Sequence, residues 1–95
     1  MLGNEYTLKE AIEAFLKTGK LEENVLDAKI IDAWNKTVGG YVESLTDKIF
    51  VRGDTLYVTI INNALRNDLF YSRSKIIYSI NGIVGKKVIK EIVFK

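Results

Sequence analysis

The sequence of 95 residues contains no cysteine, no histidine and no proline. Without cysteine, a disulfide framework, a thiolate nucleophile and a zinc ribbon are excluded. Histidine is the usual general base near neutral pH, and no nucleophile elbow or phosphate-binding loop motif compensates for its absence. The lack of proline argues against a flexible recognition tail. These absences predict a binding domain that is not an enzyme and needs no metal ion or cofactor.

Long apolar runs are also missing, and none approaches the ~20 residues that a membrane-spanning helix needs. The first six residues lack the basic stretch and the apolar run of a signal peptide. The hydrophobic share of 47% and the charged share of 27% are typical of a globular protein. We therefore expect one soluble, cytoplasmic domain that spans residues 1–95.

The charge is distributed unevenly along the chain. Residues 1–45 contain five Lys/Arg and eight Asp/Glu, a net charge of −3, whereas residues 46–95 contain nine and four, a net charge of +5. A basic half of this kind is a candidate surface for an anionic polymer. The alternative is a chance distribution of charge in a small domain.

The apolar pattern of the first 40 residues has the period of a helix. Thr7 and Glu10 form a capping-box pattern before a helix predicted over 8–18, which Gly19 stops. A second helix is predicted over 22–38, ended by Gly39-Gly40, and residues 41–45 add at most a short turn. The apolar stripe of this second helix consists of Leu26, Ile30, Ala33, Trp34 and Val38.

The pattern changes at residue 48 to the two-residue period of β-strands. Strands are predicted over 48–52 and 55–60, and Gly53-Asp54 between them suits a type II′ turn with glycine at its first central position. The side chains predicted to face the core are Ile49, Val51, Leu56, Val58 and Ile60. These two strands are the clearest hairpin signal in the chain.

A third helix is predicted over 63–81, capped by Asn62 or Asn63 and stopped by Asn81-Gly82. Its predicted core face consists of Leu65, Leu69, Ile76 and Ile80. A last strand is predicted over 88–94, with Ile92 and Phe94 pointing inward. The order α-α-β-β-α-β predicts an α+β fold, in which helices cover one face of a three-stranded sheet and the other face stays open.

Alternation along the hairpin directs a second set of side chains away from the helices. This outer face contains Lys48, Phe50, Arg52 and Tyr57. Single-stranded nucleic acid binds to such surfaces, because bases stack on the rings and Lys or Arg side chains contact the phosphates. The alternative is that Phe50 and Tyr57 form a cross-strand pair that only supports the sheet.

Two lysines, Lys86 and Lys87, follow a Gly-x-x-Gly segment at 82–85. A GxxG loop is the nucleic-acid clamp of K-homology (KH) domains. That clamp lies between two helices, whereas this segment joins a helix to a strand. We therefore interpret it as a helix stop and tight turn, from which Lys86 and Lys87 contact phosphate as point charges.

Three further cations, Arg66, Arg73 and Lys75, lie on the predicted third helix. They either extend the basic surface or belong to an ordinary solvated helix face. Trp34 is either an anchor for a partner or a core residue, since tryptophan is frequent at interface hot spots. Its place in the apolar stripe of the second helix favours the core.

A distributed set of residues from Trp34 onward forms a recognisable pattern. It consists of Trp34-Asn35-Lys36-Thr37-Val38-Gly39, Leu56-Tyr57-Val58, Ala64-Leu65-Arg66-Asn67-Asp68-Leu69, Ile80-Asn81, Val84-Gly85, Val88 and Glu91-Ile92-Val93-Phe94. This pattern resembles the DciA-like family, whose members also begin with two helices. The Leu-Arg-Asn-Asp-Leu segment is most similar to short members from Bacteroidetes-type bacteria.

The resemblance implies a KH-like fold, DNA binding, and action on the replicative DNA helicase DnaB when replication begins. Related sequences have been described as RNA-binding proteins, some with a zinc ribbon, which the lack of cysteine excludes here. Longer members carry an additional tail that this sequence does not contain. We predict a nucleic-acid-associated adaptor that binds DNA, chiefly single-stranded, and the helicase. A protein-interaction scaffold and an RNA-binding module without a helicase role are the alternatives.

Overall fold

The computed structural model describes residues 20–95. The elements of this part are α1 (Lys20–Val38), α2 (Gly40–Ser44), β1 (Thr46–Arg52), β2 (Thr55–Ile60), α3 (Asn63–Tyr71), α4 (Arg73–Val84) and β3 (Glu91–Phe94). The helix predicted over 8–18, its capping pair and Gly19 lie outside the described residues. Among the helices from residue 20 onward, none has the length and apolar character needed to cross a membrane.

The helix predicted over 22–38 is confirmed as α1, which begins two residues earlier. It ends at Gly39, whose backbone has a φ of 89° and whose N–H donates to the carbonyl of Asn35 at 2.9 Å. A positive φ is sterically cheap only for glycine. The chain therefore leaves the helix here and enters the short helix α2.

The predicted hairpin is confirmed, and β1 begins two residues earlier than expected. The antiparallel ladder pairs Phe50 with Tyr57 and Arg52 with Thr55. Gly53 in the connection has a φ of 65°. Both primed two-residue turns require a positive φ at this position, because their twist matches that of the strands.

β3 lies parallel to β2, which makes β2 the central strand in the order β1-β2-β3. The strand predicted over 88–94 was too long, since pairing with β2 begins only at Glu91. The preceding residues make other hydrogen bonds: the N–H of Lys90 donates to the carbonyl of Asp54 at 2.8 Å. The N–H groups of Val88 and Ile89 donate to the side chain of Asn81, each at 3.0 Å.

The hydrophobic core lies between the sheet and the described helices, all on one face. Trp34 of α1 and Leu56, Val58 and Ile60 of β2 are at most 2% exposed. The Trp34 ring centroid lies 6.1 Å from that of Phe94, so Trp34 is a core residue and not an exposed anchor. The other buried core residues are Ile30, Ala33, Val42, Leu69, Ile76, Ile80, Ile89 and Ile92. The predicted α+β arrangement is confirmed.

The single helix predicted over 63–81 was wrong, because the chain forms two helices that meet at Ser72. Asn62 caps α3 as expected, and its Oδ1 accepts a hydrogen bond from the N–H of Leu65 at 2.8 Å. Ser72 has φ −99° and ψ 6°, outside the helical region. Its N–H still donates to the carbonyls of Asp68 and Leu69, so one residue joins the helices with no loop between them.

The predicted stop at Asn81-Gly82 was also wrong, since α4 continues to Val84. The helix ends at Gly85, which has φ 95° and ψ 7° and whose N–H donates to the carbonyl of Asn81 at 2.8 Å. Helices commonly end in this way, with a glycine in the left-handed conformation directly after the last turn. Of the two glycines in the segment 82–85, the second is therefore the stop.

Candidate nucleic-acid interface

Two aromatic rings stand next to each other on the face of the sheet opposite to the core. The centroids of Phe50 and Tyr57 are 4.9 Å apart and their planes differ by 11°. Phe50 is 44% exposed, and Tyr57 is half-buried. Val93 of β3 pairs with Tyr57 on the other side. The structure therefore places an apolar row of Phe50, Tyr57 and Val93 across all three strands.

Cations flank this row toward both ends of the strands. The Arg52 guanidinium carbon lies 5.8 Å from the Phe50 ring centroid, within the range of a cation–π contact. Lys48 lies two residues before Phe50 and pairs with Thr59. Lys95 extends the ladder, because its N–H donates to the carbonyl of Val58 at 2.8 Å, and strand alternation directs its side chain outward. We define Lys48, Phe50, Arg52, Tyr57, Val93 and Lys95 as the outer sheet face.

Arg66 lies apart from this face and is committed to local contacts. One terminal nitrogen of its guanidinium donates to the carbonyl of Ile60 at 3.3 Å, and the other donates to Oδ1 of Asn63 at 2.6 Å. The side chain is half-buried. Arg66 therefore ties the first turn of α3 to the end of β2. It also lines a groove of about 510 Å³ with Asn63, Ala64, Asn67, Phe70 and Phe94.

Arg73 is held at the first turn of α4 by three contacts. Its guanidinium carbon lies 4.1 Å from the Phe70 ring centroid, and one nitrogen donates to the Phe70 carbonyl at 3.0 Å. Its Nε is 3.8 Å from Oε1 of Glu91. The same carboxylate oxygen accepts the N–H of Ile92 at 3.0 Å. Arg73 therefore lies beside the start of β3, whereas Lys75 is exposed on α4.

Lys86 and Lys87 lie in the loop between α4 and β3, away from the outer sheet face. The Asn81 side chain holds this loop with three hydrogen bonds: it accepts from Val88 and Ile89 and donates to the Ile89 carbonyl at 2.9 Å. Both lysines are exposed. The nine predicted nucleic-acid-binding residues therefore do not form one patch, since four are on the sheet, three on α3 and α4, and two in this loop.

Sequence reasoning missed several residues of these surfaces. Val93 and Lys95 belong to the outer sheet face because β3 joins the sheet beside β2 with Ile92 facing the core. Tyr78 on α4 is 83% exposed and lines a hollow with Lys86 and Lys87. The alternation of β3 could have indicated Val93, and the predicted core face of Ile76 and Ile80 could have placed Tyr78 outward, but no local signal indicates that Tyr78 lies beside Lys86 and Lys87. Among the described residues, no three His, Cys, Asp or Glu side chains are placed to hold a metal ion.

Comparison with protein families gives a match that covers nearly the whole chain. The family model described as Dna[CI] antecedent, DciA matches residues 7–94. This chain belongs to the DciA family. The DciA family is linked to loading of the DnaB helicase in replication and consists of adaptors of the helicase-loader type. A search of the curated proteins finds no match.

Most residues that carry the DciA pattern in this chain have structural roles. Trp34, Leu69 and Ile92 are buried in the core. Asn81 fixes the loop before β3, and Gly85 ends α4. Of the pattern residues, Tyr57 is the one whose aromatic ring lies on the outer sheet face. The DciA pattern therefore specifies the fold of this chain more directly than any binding surface.

Proposed function

We propose that this DciA-family chain is a non-enzymatic adaptor of DNA replication that binds single-stranded DNA through its outer sheet face. The same proposal gives a different surface to the replicative helicase DnaB. The observation that carries the DNA part is the stacked pair of Phe50 and Tyr57, which lies between cations on the sheet face that the described helices leave open. The family membership supports the helicase part.

The geometry favours a single strand over a duplex. A single strand offers unstacked bases, which stack on aromatic side chains while basic residues contact the phosphates. In the Phe50–Tyr57 stack one face of each ring is engaged by the other ring, and Val93 flanks Tyr57 on its other side. A base therefore stacks on the Phe50 ring, which is 44% exposed and bordered by Arg52. Lys48, Arg52 and Lys95 lie around the rings, where they meet the phosphates on either side of a stacked base.

The charge balance of this face favours a polyanion. Its three cations are exposed, and from Lys48 to Ile60 strand alternation places no carboxylate on it, since Asp54 lies in the turn. Asp47 lies at the irregularity of the ladder between Thr46 and Lys48. Strand alternation places one carboxylate, that of Glu91, on the same face as Val93, and Arg73 pairs with it at 3.8 Å. A phosphate backbone that crosses β1 and β2 therefore meets net positive charge.

Fluorescence anisotropy with a labelled oligothymidylate at low salt tests the DNA part. We expect Lys48→Gln and Arg52→Gln, each as a single variant, to lower the affinity for the oligonucleotide. Phe50→Ala should weaken binding by about 1–3 kcal/mol if one base stacks on its ring. Lys29→Gln is the matched control, because Lys29 is an exposed cation on α1 and its removal changes the total charge equally. Absence of binding at high micromolar DNA, or an equal loss in the Lys29 control, would refute the outer sheet face as the DNA site.

A pull-down with the cognate DnaB tests the helicase part separately. We expect the wild-type chain to retain the helicase, and we expect Phe50→Ala with Lys48→Gln to retain it as well. This follows because the proposal places the helicase and the DNA on different surfaces. If wild-type protein retains no DnaB in the pull-down, the proposed helicase role is refuted, whereas the proposal of DNA binding is unaffected.

A second candidate function is a protein-interaction scaffold, favoured by the apolar row of Phe50, Tyr57 and Val93. An open row of this kind is also suited to self-association or to a protein partner. Light scattering of wild-type and Tyr57→Ala protein separates the two functions: loss of an oligomer without loss of DNA binding would favour the scaffold. Competition between DNA and RNA oligomers of matched sequence decides whether the strand is DNA or RNA.

A further inference from the structure

A second surface of the chain combines an exposed ring with two cations. Tyr78 is 83% exposed, and it lines a hollow of about 400 Å³ with Lys86, Lys87 and two glycines. Ile76 and Ile80, two positions to either side of Tyr78, are 5% and 0% exposed. Since those neighbours face the core, Tyr78 points away from it. We call this the Tyr78 hollow, and it lies on the helical layer, not on the outer sheet face.

The backbone of the Tyr78 hollow is held in one arrangement. Asn81 lies in its wall and makes three hydrogen bonds, of 2.9, 3.0 and 3.0 Å, to the loop that follows the lysines. Gly85 sets the direction of the chain with its left-handed φ of 95°. A Cβ at Gly82 or Gly85 would meet no atom within 4 Å, so the space above both glycines is open. A ligand therefore meets a preformed loop, which lowers the ordering cost of binding.

The charge of the hollow selects for an anion. Its lining contains two lysines and no carboxylate, and neither lysine forms an ion pair with a described residue. Proximity to the carbonyl end of α4 gives a local reason for the lysines, because cations are favoured there. That reason does not extend to Tyr78, whose ring contacts no aromatic ring or cation in the described part of the chain.

We infer that the Tyr78 hollow is a second nucleotide-binding site, in which a base stacks on Tyr78 and the adjoining phosphates contact Lys86 and Lys87. This inference rests on the proposed function, since both sites take single-stranded DNA, but it assigns a separate surface. Because the two sites lie on different faces, one protein chain can bind two short oligonucleotides at the same time. A longer strand that reaches both sites gains affinity through effective concentration.

Amide chemical shifts of the 95-residue chain, followed during titration with the tetranucleotide (dT)4, test the inference. We expect two sets of shift changes, one in β1 and β2 and one at residues 78–87, with a final stoichiometry of two. Tyr78→Ala should lower the affinity reported by the second set of shift changes by about fivefold or more. The affinity reported by the first set should stay unchanged. Tyr41→Ala, which removes a 70% exposed tyrosine from α2, is the matched control.

The outcomes separate the two proposals. Two outcomes would overturn the second site while the proposed function stands. In one, Tyr78→Ala leaves the shift changes at residues 78–87 unaltered. In the other, residues 78–87 show no shift changes when the outer sheet face is saturated with (dT)4. Changes confined to residues 78–87 would instead remove the outer sheet face and keep the Tyr78 hollow. A parallel titration with thymidine monophosphate distinguishes a strand from a free nucleotide: we expect (dT)4 to bind at least about tenfold more tightly, and equal affinities would overturn the assignment to a strand.

Discussion

The Phe50 ring stacks on the Tyr57 ring across the β1–β2 ladder, with centroids 4.9 Å apart and planes 11° apart. Such pairs contribute about 0.5–1.5 kcal/mol beyond the area they bury. The stack therefore has two roles in the proposal, because it supports the hairpin and offers its outer face to a base. Each role makes a different prediction for the same two side chains.

The supporting role predicts energetic coupling between the rings. In urea unfolding followed by the fluorescence of Trp34, we expect Phe50→Ala and Tyr57→Ala to be non-additive by about 0.5–1.5 kcal/mol. Phe50→Ala combined with Tyr78→Ala should be additive within about 0.5 kcal/mol, because Tyr78 lies on the helical layer. Additive effects in the first pair would mean that the stack contributes nothing to stability.

The binding role predicts a defined dependence on salt. For a single strand, the slope of log affinity against log salt is about −0.7 per phosphate neutralised, so contacts from Lys48, Arg52 and Lys95 give a slope near −2. Lys48→Gln should reduce its magnitude by about 0.7, whereas Phe50→Ala should lower the affinity without changing the slope. A slope that stays constant in Lys48→Gln would show that this lysine contacts no phosphate.

The loop before β3 depends on one amide side chain. Asn81→Ala removes three hydrogen bonds and leaves the N–H groups of Val88 and Ile89 without their acceptor. We expect a loss of about 1–3 kcal/mol in the free energy of unfolding, and faster hydrogen exchange at those two amides. Asn67→Ala is the control, since Asn67 is exposed on α3, and its effect should stay within about 0.5 kcal/mol.

Two glycines three residues apart should respond to alanine in opposite directions. A Cβ at either position meets no atom within 4 Å, so the difference between them is the backbone alone. Gly85→Ala places a side chain at a φ of 95° and should cost about 1–2 kcal/mol of stability. Gly82→Ala lies within α4 and should stabilise by about 0.4–1 kcal/mol. Thermal unfolding measures both, and destabilisation by Gly82→Ala would contradict the observed helix end.

Local patterns in the sequence were sufficient for the hairpin, α1 and the core faces. The period of two places Phe50 and Tyr57 on one face, and Gly53 marks the turn. The break at Ser72 is invisible to such a pattern, because Leu69 and Ile76 are seven residues apart, two helical turns, whether the helix is continuous or not. Ser72 departs from helical geometry at one residue only, and no turn signal accompanies it.

Long-range contacts account for the remaining differences. Asn81-Gly82 has the composition of a stop, yet the Asn81 side chain bonds to residues seven and eight positions later, and the helix continues past it. The same contacts keep Val88 and Ile89 out of the sheet and shorten β3. For the candidate site, alternation predicted which side chains share the face. Strand order added Val93 and Lys95, and only coordinates give the stacking of the rings.

The central strand acquires its two neighbours over very different stretches of chain. Tyr57 pairs with Phe50, seven residues earlier, and with Val93, 36 residues later. Closing the longer connection costs more chain entropy, and contacts of this range slow folding. We therefore expect the hairpin to form early and β3 to dock last. While the chain is being synthesised, one edge of β2 therefore stays unpaired until the residues of β3 have left the ribosome.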